Sequence, residues 1–235
     1  MRKCAKLFAG GAIVVSVVSA AQAATITPTY SSSIYTVSST DLLQTQLTSK
    51  TDALTINTEY NPTGSTSAKL TDGMFGAAGA GDSLVIVGGT ITYTLNTDIN
   101  TLGYNISAID TYSGWNDIGR MKQSYTVSYA TVSNPSTFTP IAIVSHETTE
   151  TTEPNRFEHV AISGFDATGV KTIRFDFGNG TQQNAGTQQN AGTQQNNAVG
   201  YKELDVTGTI VPEPAAISLI GLGAIGVLSR RRHRA

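Results

Sequence analysis

Short runs in which apolar and polar residues alternate dominate the middle of the chain, and a period of two is the mark of a half-buried β-strand. In Ser124-Tyr125-Thr126-Val127-Ser128-Tyr129 the Tyr and Val side chains fall on one face and the hydroxyls on the other. In Lys171-Thr172-Ile173-Arg174-Phe175-Asp176-Phe177, Ile173, Phe175 and Phe177 share a face. Further strands are expected at 84–87, 91–95, 102–109, 140–145, 157–162 and 201–210. Eight short strands parted by Gly, Asn, Asp and Pro turns predict an all-β antiparallel sandwich or barrel. Only 41–47 offers a helix, and a short one. Residues 24–80 are softer and Thr/Ser-rich, with glycines around 76–81, and read as first strands plus long loops of the same domain.

One segment breaks the pattern. Thr-Gln-Gln-Asn-Ala-Gly occurs at 181–186 and 187–192, and Thr193-Gln194-Gln195-Asn196 begins a third copy. No position of the repeat carries a large apolar side chain, so ordering it would recover little of the lost chain entropy. The segment 178–198 therefore reads as an expanded hairpin loop, with a Gln/Asn self-association patch as the other reading.

Composition agrees with strands. Thr and Ser number 34 and 21 among 235 residues, while charged residues make up 14%. Low charge with abundant Thr, Val, Ile and Tyr favours pleated structure over helices. The length suits one sandwich-sized domain.

Both ends read as addresses. Arg2, Lys3 and Lys6 precede an apolar run from 7 to 21, and Ala21-Gln22-Ala23 supplies the small residues of a cleavage site. Residues 1–23 are thus expected to be a secretory signal, cut by signal peptidase after Ala23; the run is too short for an ordinary span. Cys4 precedes that run, which removes a lipoprotein reading, and it is the only cysteine, so the exported chain would hold no disulfide. At the other end Val211-Pro212-Glu213-Pro214 leads into a mostly apolar stretch, 215–229, and then Arg230-Arg231-Arg232-His233-Arg234. Fifteen helical residues extend roughly 22 Å, marginal for a bilayer core of about 30 Å. The arginines would hold their end in the cytoplasm.

That tail, 211–235, resembles the PEP-CTERM sorting tail of Gram-negative bacteria, with Pro212, Glu213 and Pro214 as its signature. The resemblance implies transient insertion of a short transmembrane helix in the inner membrane, removal by an exosortase-type protease, and release to the cell envelope or an extracellular matrix. A permanent single-span anchor is the alternative. Without its ends the chain keeps eight basic and sixteen acidic residues, a body near −8. Electrostatic attraction of such a body to nucleic acid or anionic lipid is disfavoured.

Within the body, 24–210, four landmarks fall in order. They are Ser67-Ala68-Lys69-Leu70-Thr71-Asp72-Gly73, then Ile91-Thr92-Tyr93-Thr94-Leu95, then Trp115 and Arg120 before the 124–129 strand, and finally Tyr201-Lys202-Glu203-Leu204-Asp205-Val206-Thr207-Gly208. Over about 60–210 this order resembles the galactose-binding-like jelly roll of discoidin and coagulation-factor C domains and of many carbohydrate-binding modules. The resemblance implies a structural Ca²⁺ where the early Asp-Gly turn meets the closing strand, held by Asp72 and Glu203 with main-chain carbonyls. Two carboxylates among six to eight oxygens would suit that ion. The plainer reading makes Asp72 a turn cap and places Glu203 on a solvated face.

Ser113-Gly114-Trp115-Asn116-Asp117-Ile118-Gly119-Arg120 holds the only Trp. The indole of Trp115, the amide of Asn116, the carboxylate of Asp117 and the guanidinium of Arg120 are the parts of a sugar site, since sugar faces stack on rings and hydroxyls need paired donors and acceptors. The plainer reading packs Trp115 into the core with Arg120 bracing the loop.

Enzyme signatures are missing. His146-Glu147 is followed by Glu150 where a second His would complete a zinc motif, and the run to Pro154 reads as an acidic solvated loop. There is no nucleophile elbow, P-loop or dinucleotide fingerprint. Three functions stay open: a secreted, non-catalytic protein binding exopolysaccharide, a purely structural or adhesive envelope protein, and, weakest, a polysaccharide-acting enzyme using remote carboxylates.

Overall fold

The computed structural model describes residues 23–57, 61, 65–77, 82–115, 120–145, 156–177 and 198–213. The signal segment through 22, the acidic run 146–155, repeat residues 178–197, and the tail from 214 lie outside the described residues.

Nine antiparallel strands form in chain order: β1 Thr25–Ser31, β2 Leu47–Ile56, β3 Leu84–Leu95, β4 Tyr104–Gly114, β5 Ser124–Thr131, β6 Thr139–Ser145, β7 Phe157–Ser163, β8 Ala167–Asp176 and β9 Val199–Ile210. The fold is all-β, as the alternation predicts. The eight expected runs all lie in strands, two of them in the same one, β3, and β1 and β2 are the first strands expected within 24–80. The expected short helix is a single turn, α1 Leu42–Thr45, started by Asp41, whose Oδ1 accepts the Leu43 N–H at 2.8 Å.

Runs 84–87 and 91–95 prove to be one strand, and the glycines between them explain how. Leu84–Ile86 pair with Tyr201–Val199 of β9, whereas Thr90–Thr94 pair with Asp176–Thr172 of β8. The change of partner falls at Gly88-Gly89. Gly89 has φ +95°, and a Cβ there would lie 2.3 Å from the Ala53 carbonyl oxygen of β2, which runs beside β3 on its other edge. Strand β4 makes the matching change: its start meets β8 at Tyr104↔Val170, its end pairs with β7, and β9 lines it throughout. Strands β4, β9, β3 and β8 thus close a ring, with β7 and β1 beyond β4 and with β5 and β6 beyond β8.

One core lies between these two neighbourhoods. Ile91, Tyr93, Tyr125, Val127, Ile173 and Phe175 from one side meet Tyr104, Ile109, Val160, Ile162, Leu204 and Val206 from the other. All are buried, and each large apolar side chain so placed contributes about 1.5–3 kcal/mol. Ile173, Phe175 and Phe177 share the buried face as the alternation requires. The outermost strands β1 and β6 carry Pro28 and Pro140, which lack the N–H a further strand would need.

Candidate functional site

Three places bear on function. The first is the outward face of β9, where Glu203 and Asp205 stand opposite Tyr112 and Asp110 of β4. This face is not solvated. Residues 33–46 and the turn after the 3-10 segment Ser67–Thr71 lie over it. Glu203 and Asp205 are 0% and 3% exposed. Gly73 donates its N–H to Glu203 Oε1 at 3.1 Å, and Gln44 Nε2 donates to the same oxygen at 2.8 Å. Ser38 N–H donates to Asp205 Oδ2 at 2.7 Å, and Asp41 Oδ1 accepts from Val206 N–H at 3.2 Å. Glu203 Oε2, Asp205 Oδ1 and Asp41 Oδ2 are buried without a hydrogen-bond partner. Burial pushes the Glu203 carboxyl up to about 9 and Asp205 to about 7, with the neighbouring carboxylates adding to the rise.

The early Asp-Gly turn therefore does meet the closing strand, but not as an ion's shell. Asp72 is exposed, and its Oδ1 accepts the Met74 N–H at 3.0 Å. The turn offers Glu203 an N–H where Ca²⁺ would need an oxygen. Among the described residues no group of three or more His, Cys, Asp or Glu is placed to hold a metal. Asp72 and Glu203 as arranged do not fit Ca²⁺. Asp72 is the turn cap of the plainer reading, whereas Glu203 is buried rather than on the solvated face that reading gave it.

Beside this face Lys202, also 0% exposed, donates from Nζ to the Ala77 carbonyl at 2.8 Å and lies 5.1 Å from the Phe75 ring centroid. Its amine is lowered to about 8 by burial. The register skips Lys202 between Ser113↔Tyr201 and Tyr112↔Glu203, so it is the extra residue of a bulge.

The second place is the corner at Trp115. Its side chain is 7% exposed and packs with Val85 and Ala198. Arg120 is 3% exposed, with its guanidinium carbon 5.4 Å from the indole centroid. The structure brings these two together as a packed cation–π pair, and the indole presents little free face to a sugar. Asn116 and Asp117 lie outside the described residues. Nearby, Glu158 is fully buried and raised to about 8 by burial; its Oε2 accepts the Gln123 N–H at 2.8 Å, and Gln123 continues to Thr111.

The third place was missed in the sequence. The outward face of β2, β3, β8 and β5 carries polar side chains in cross-strand rows: Thr51, Thr92 and Arg174 in one, ending at the buried Ser128, and Thr90, Asp176 and Thr126 in the next. Adjacent strands lie about 4.8 Å apart and successive rows about 6.7 Å apart. The guanidinium carbon of Arg174 lies over Phe138, 3.9 Å from its ring centroid. The available signal was Thr90-Ile91-Thr92-Tyr93-Thr94, whose polar half faces outward; which residues stand beside it depends on pairing between distant strands.

The chain's last described residues continue from β9. Val211 N–H donates to the Gly103 carbonyl at 2.9 Å, and Thr101 Oγ1 donates to Glu213 Oε1 at 3.3 Å. Pro212 follows Val211 directly, while Pro214 lies outside the described residues, as does Ala21; Ala23 is the first described residue. Among the described residues no helix is long and apolar enough to cross a membrane.

Residues 211–232 match the PEP-CTERM protein-sorting motif. No curated protein matches the chain. The motif marks an exported protein with a C-terminal sorting signal read by exosortase, in keeping with the cell envelope.

Proposed function

We propose that this exported chain is a non-catalytic envelope or matrix protein whose jelly-roll body, of galactose-binding-like type, holds exopolysaccharide after transient anchoring of 215–229 in the inner membrane. Signal peptidase would remove residues 1–23 and exosortase the tail. Strand order supports the jelly roll. The chain passes between the β7-β4-β9 and β3-β8-β5-β6 neighbourhoods at every connection from β3 to β9 except the β5–β6 hairpin, the wrapping of two Greek keys.

The observation that carries sugar binding is the hydroxyl face with Arg174 and Asp176 in neighbouring rows of β8. Guanidinium N–H groups donate, a carboxylate accepts, and Thr hydroxyls do both, which matches the vicinal hydroxyls of a neutral polysaccharide. The cation–π contact with Phe138 helps to position the guanidinium before any ligand arrives. A body near −8 disfavours polyanionic glycans. Trp115 and Arg120 take no part in this reading.

A glycan array probed with the secreted protein, including the producing cell's own exopolysaccharide, tests it. Selective binding lost in Arg174→Ala and Thr92→Val, with melting unchanged, is expected. Binding to no glycan would leave a structural or adhesive protein, the reading that the burial of Trp115 and Arg120 favours. Turnover on a polysaccharide panel, abolished by a carboxylate substitution, would overturn the non-catalytic assignment.

A further inference from the structure

We infer that the turn 96–103 and the adjoining strand end, Ile210-Val211, form the surface that the body lays against the lipid bilayer while the sorting tail is inserted. The inference rests on the anchoring proposed above. It begins with the distribution of exposed apolar side chains. Among the described residues six large hydrophobics are exposed, and three of them, Ile99 at 74%, Leu102 at 38% and Ile210 at 53%, belong to this turn and strand end. They do not stand on a loose loop. Gly103 has φ +78°, and a Cβ there would lie 2.6 Å from the Val170 carbonyl oxygen, so the turn is pressed against β8. Its backbone closes through Gly103 N–H to the Asn100 carbonyl at 2.7 Å. Tyr104, which follows it, pairs with Ile210.

The sorting motif leaves from this platform without a linker. Strand β9 ends at Ile210, Val211 is bonded to Gly103, and the motif match begins at 211. The apolar run begins at 215. Four residues from Val211 span at most about 14 Å fully extended, and about 12 Å if the two prolines impose an extended polyproline geometry. The headgroup layer between water and hydrocarbon is about 5–8 Å thick on each side. A tether of that length cannot carry the platform far from the headgroups, and Ile99, Leu102 and Ile210 are the exposed apolar residues of the turn and strand end from which it leaves. A solvated surface gains nothing from these three residues, whereas an interface would bury them. The turn contains Asp98 but no Lys or Arg, and Glu213 lies against Thr101, so zwitterionic lipid rather than anionic lipid is the matching chemistry.

The test uses the exported chain with its tail retained, purified from a host lacking the protease. It carries Cys4→Ser and one introduced cysteine, Ile99→Cys or, as the distant control on edge strand β6, Ile143→Cys, which replaces a side chain 69% exposed. Both sites are exposed, so folding should survive, and circular dichroism checks it. The thiols are labelled with a polarity-sensitive fluorophore, and the protein is reconstituted in phosphatidylcholine–phosphatidylethanolamine vesicles containing a lipid-borne quencher. The label at 99 is expected to shift blue and to be quenched several-fold more strongly than the label at 143, and tail removal should abolish the difference. Protein that floats with the vesicles but shows equal quenching at both sites overturns the inference alone. Protein that does not float overturns the anchoring and the inference with it. Shielding of position 99 that appears only when exosortase is added assigns the surface to the protease and overturns the lipid assignment.

Discussion

Gly73 donates its backbone N–H to the Oε1 of Glu203 across 130 residues of sequence, and Glu203 is wholly buried where they meet. This contact, with that of Gln44 to the same oxygen and that of Ser38 to the neighbouring Asp205, fastens the covering segments to the sheet. Glu203→Gln keeps an acceptor for both donors and should leave the melting temperature at neutral pH unchanged or raised. Glu203→Ala strands two donors and should destabilise the fold by about 1–3 kcal/mol for each. Denaturant unfolding of the two variants checks this. Equal losses in both would show that charge, and not the acceptor, fastens the turn.

Calcium should have no effect. Because the Asp72–Gly73 turn presents an N–H to Glu203 and Asp72 caps its own turn, melting curves in Ca²⁺ and in EDTA are expected to superimpose. A rise in Ca²⁺ that disappears in Glu203→Gln would restore the ion to this site.

Stability should fall as pH rises from 5 to 8. Glu203, Glu158 and Asp205 are raised by burial to about 9, 8 and 7, so across this window the folded state holds protons that the unfolded state has released. The contribution of these groups is complete below their unfolded values and is lost as pH climbs through the folded ones. Lys202, lowered to about 8, acts in the opposite sense only above that value. Melting temperatures that are flat or rising between pH 5 and 8 would contradict the burial of these carboxyls; Glu158→Gln together with Glu203→Gln should flatten the slope.

Trp115→Ala should cost about 3–5 kcal/mol, the range for emptying a packed aromatic site. Glycan affinity, measured below the lowered melting point, should be untouched. Lost affinity with stability retained would return the indole to the sugar site.

Gly89→Ala should destabilise by at least about 2 kcal/mol, because a positive φ and a backbone contact on β2 oppose the methyl together. Thermal unfolding reads the effect directly. Tolerance of Ala would show that β3 does not change partners by close approach to β2.

Much of the architecture was legible along the chain because a strand's two faces are written at a spacing of two. Ile173, Phe175 and Phe177, or Tyr125 and Val127, declare their buried side without knowledge of any partner, and Val211-Pro212-Glu213-Pro214 with its apolar and basic sequel is local in the same way. Pairing is not local. That Gly88-Gly89 joins two expected strands into one, that 33–46 covers β9 and buries Glu203, and that Arg174 stands between Thr92 and Ser128 depend on which distant strands lie side by side. Alternation assigns each residue to a face. Whether water, a covering segment or a neighbouring strand meets that face is settled by backbone hydrogen bonds between segments far apart in the chain, and these leave no periodic trace within either partner.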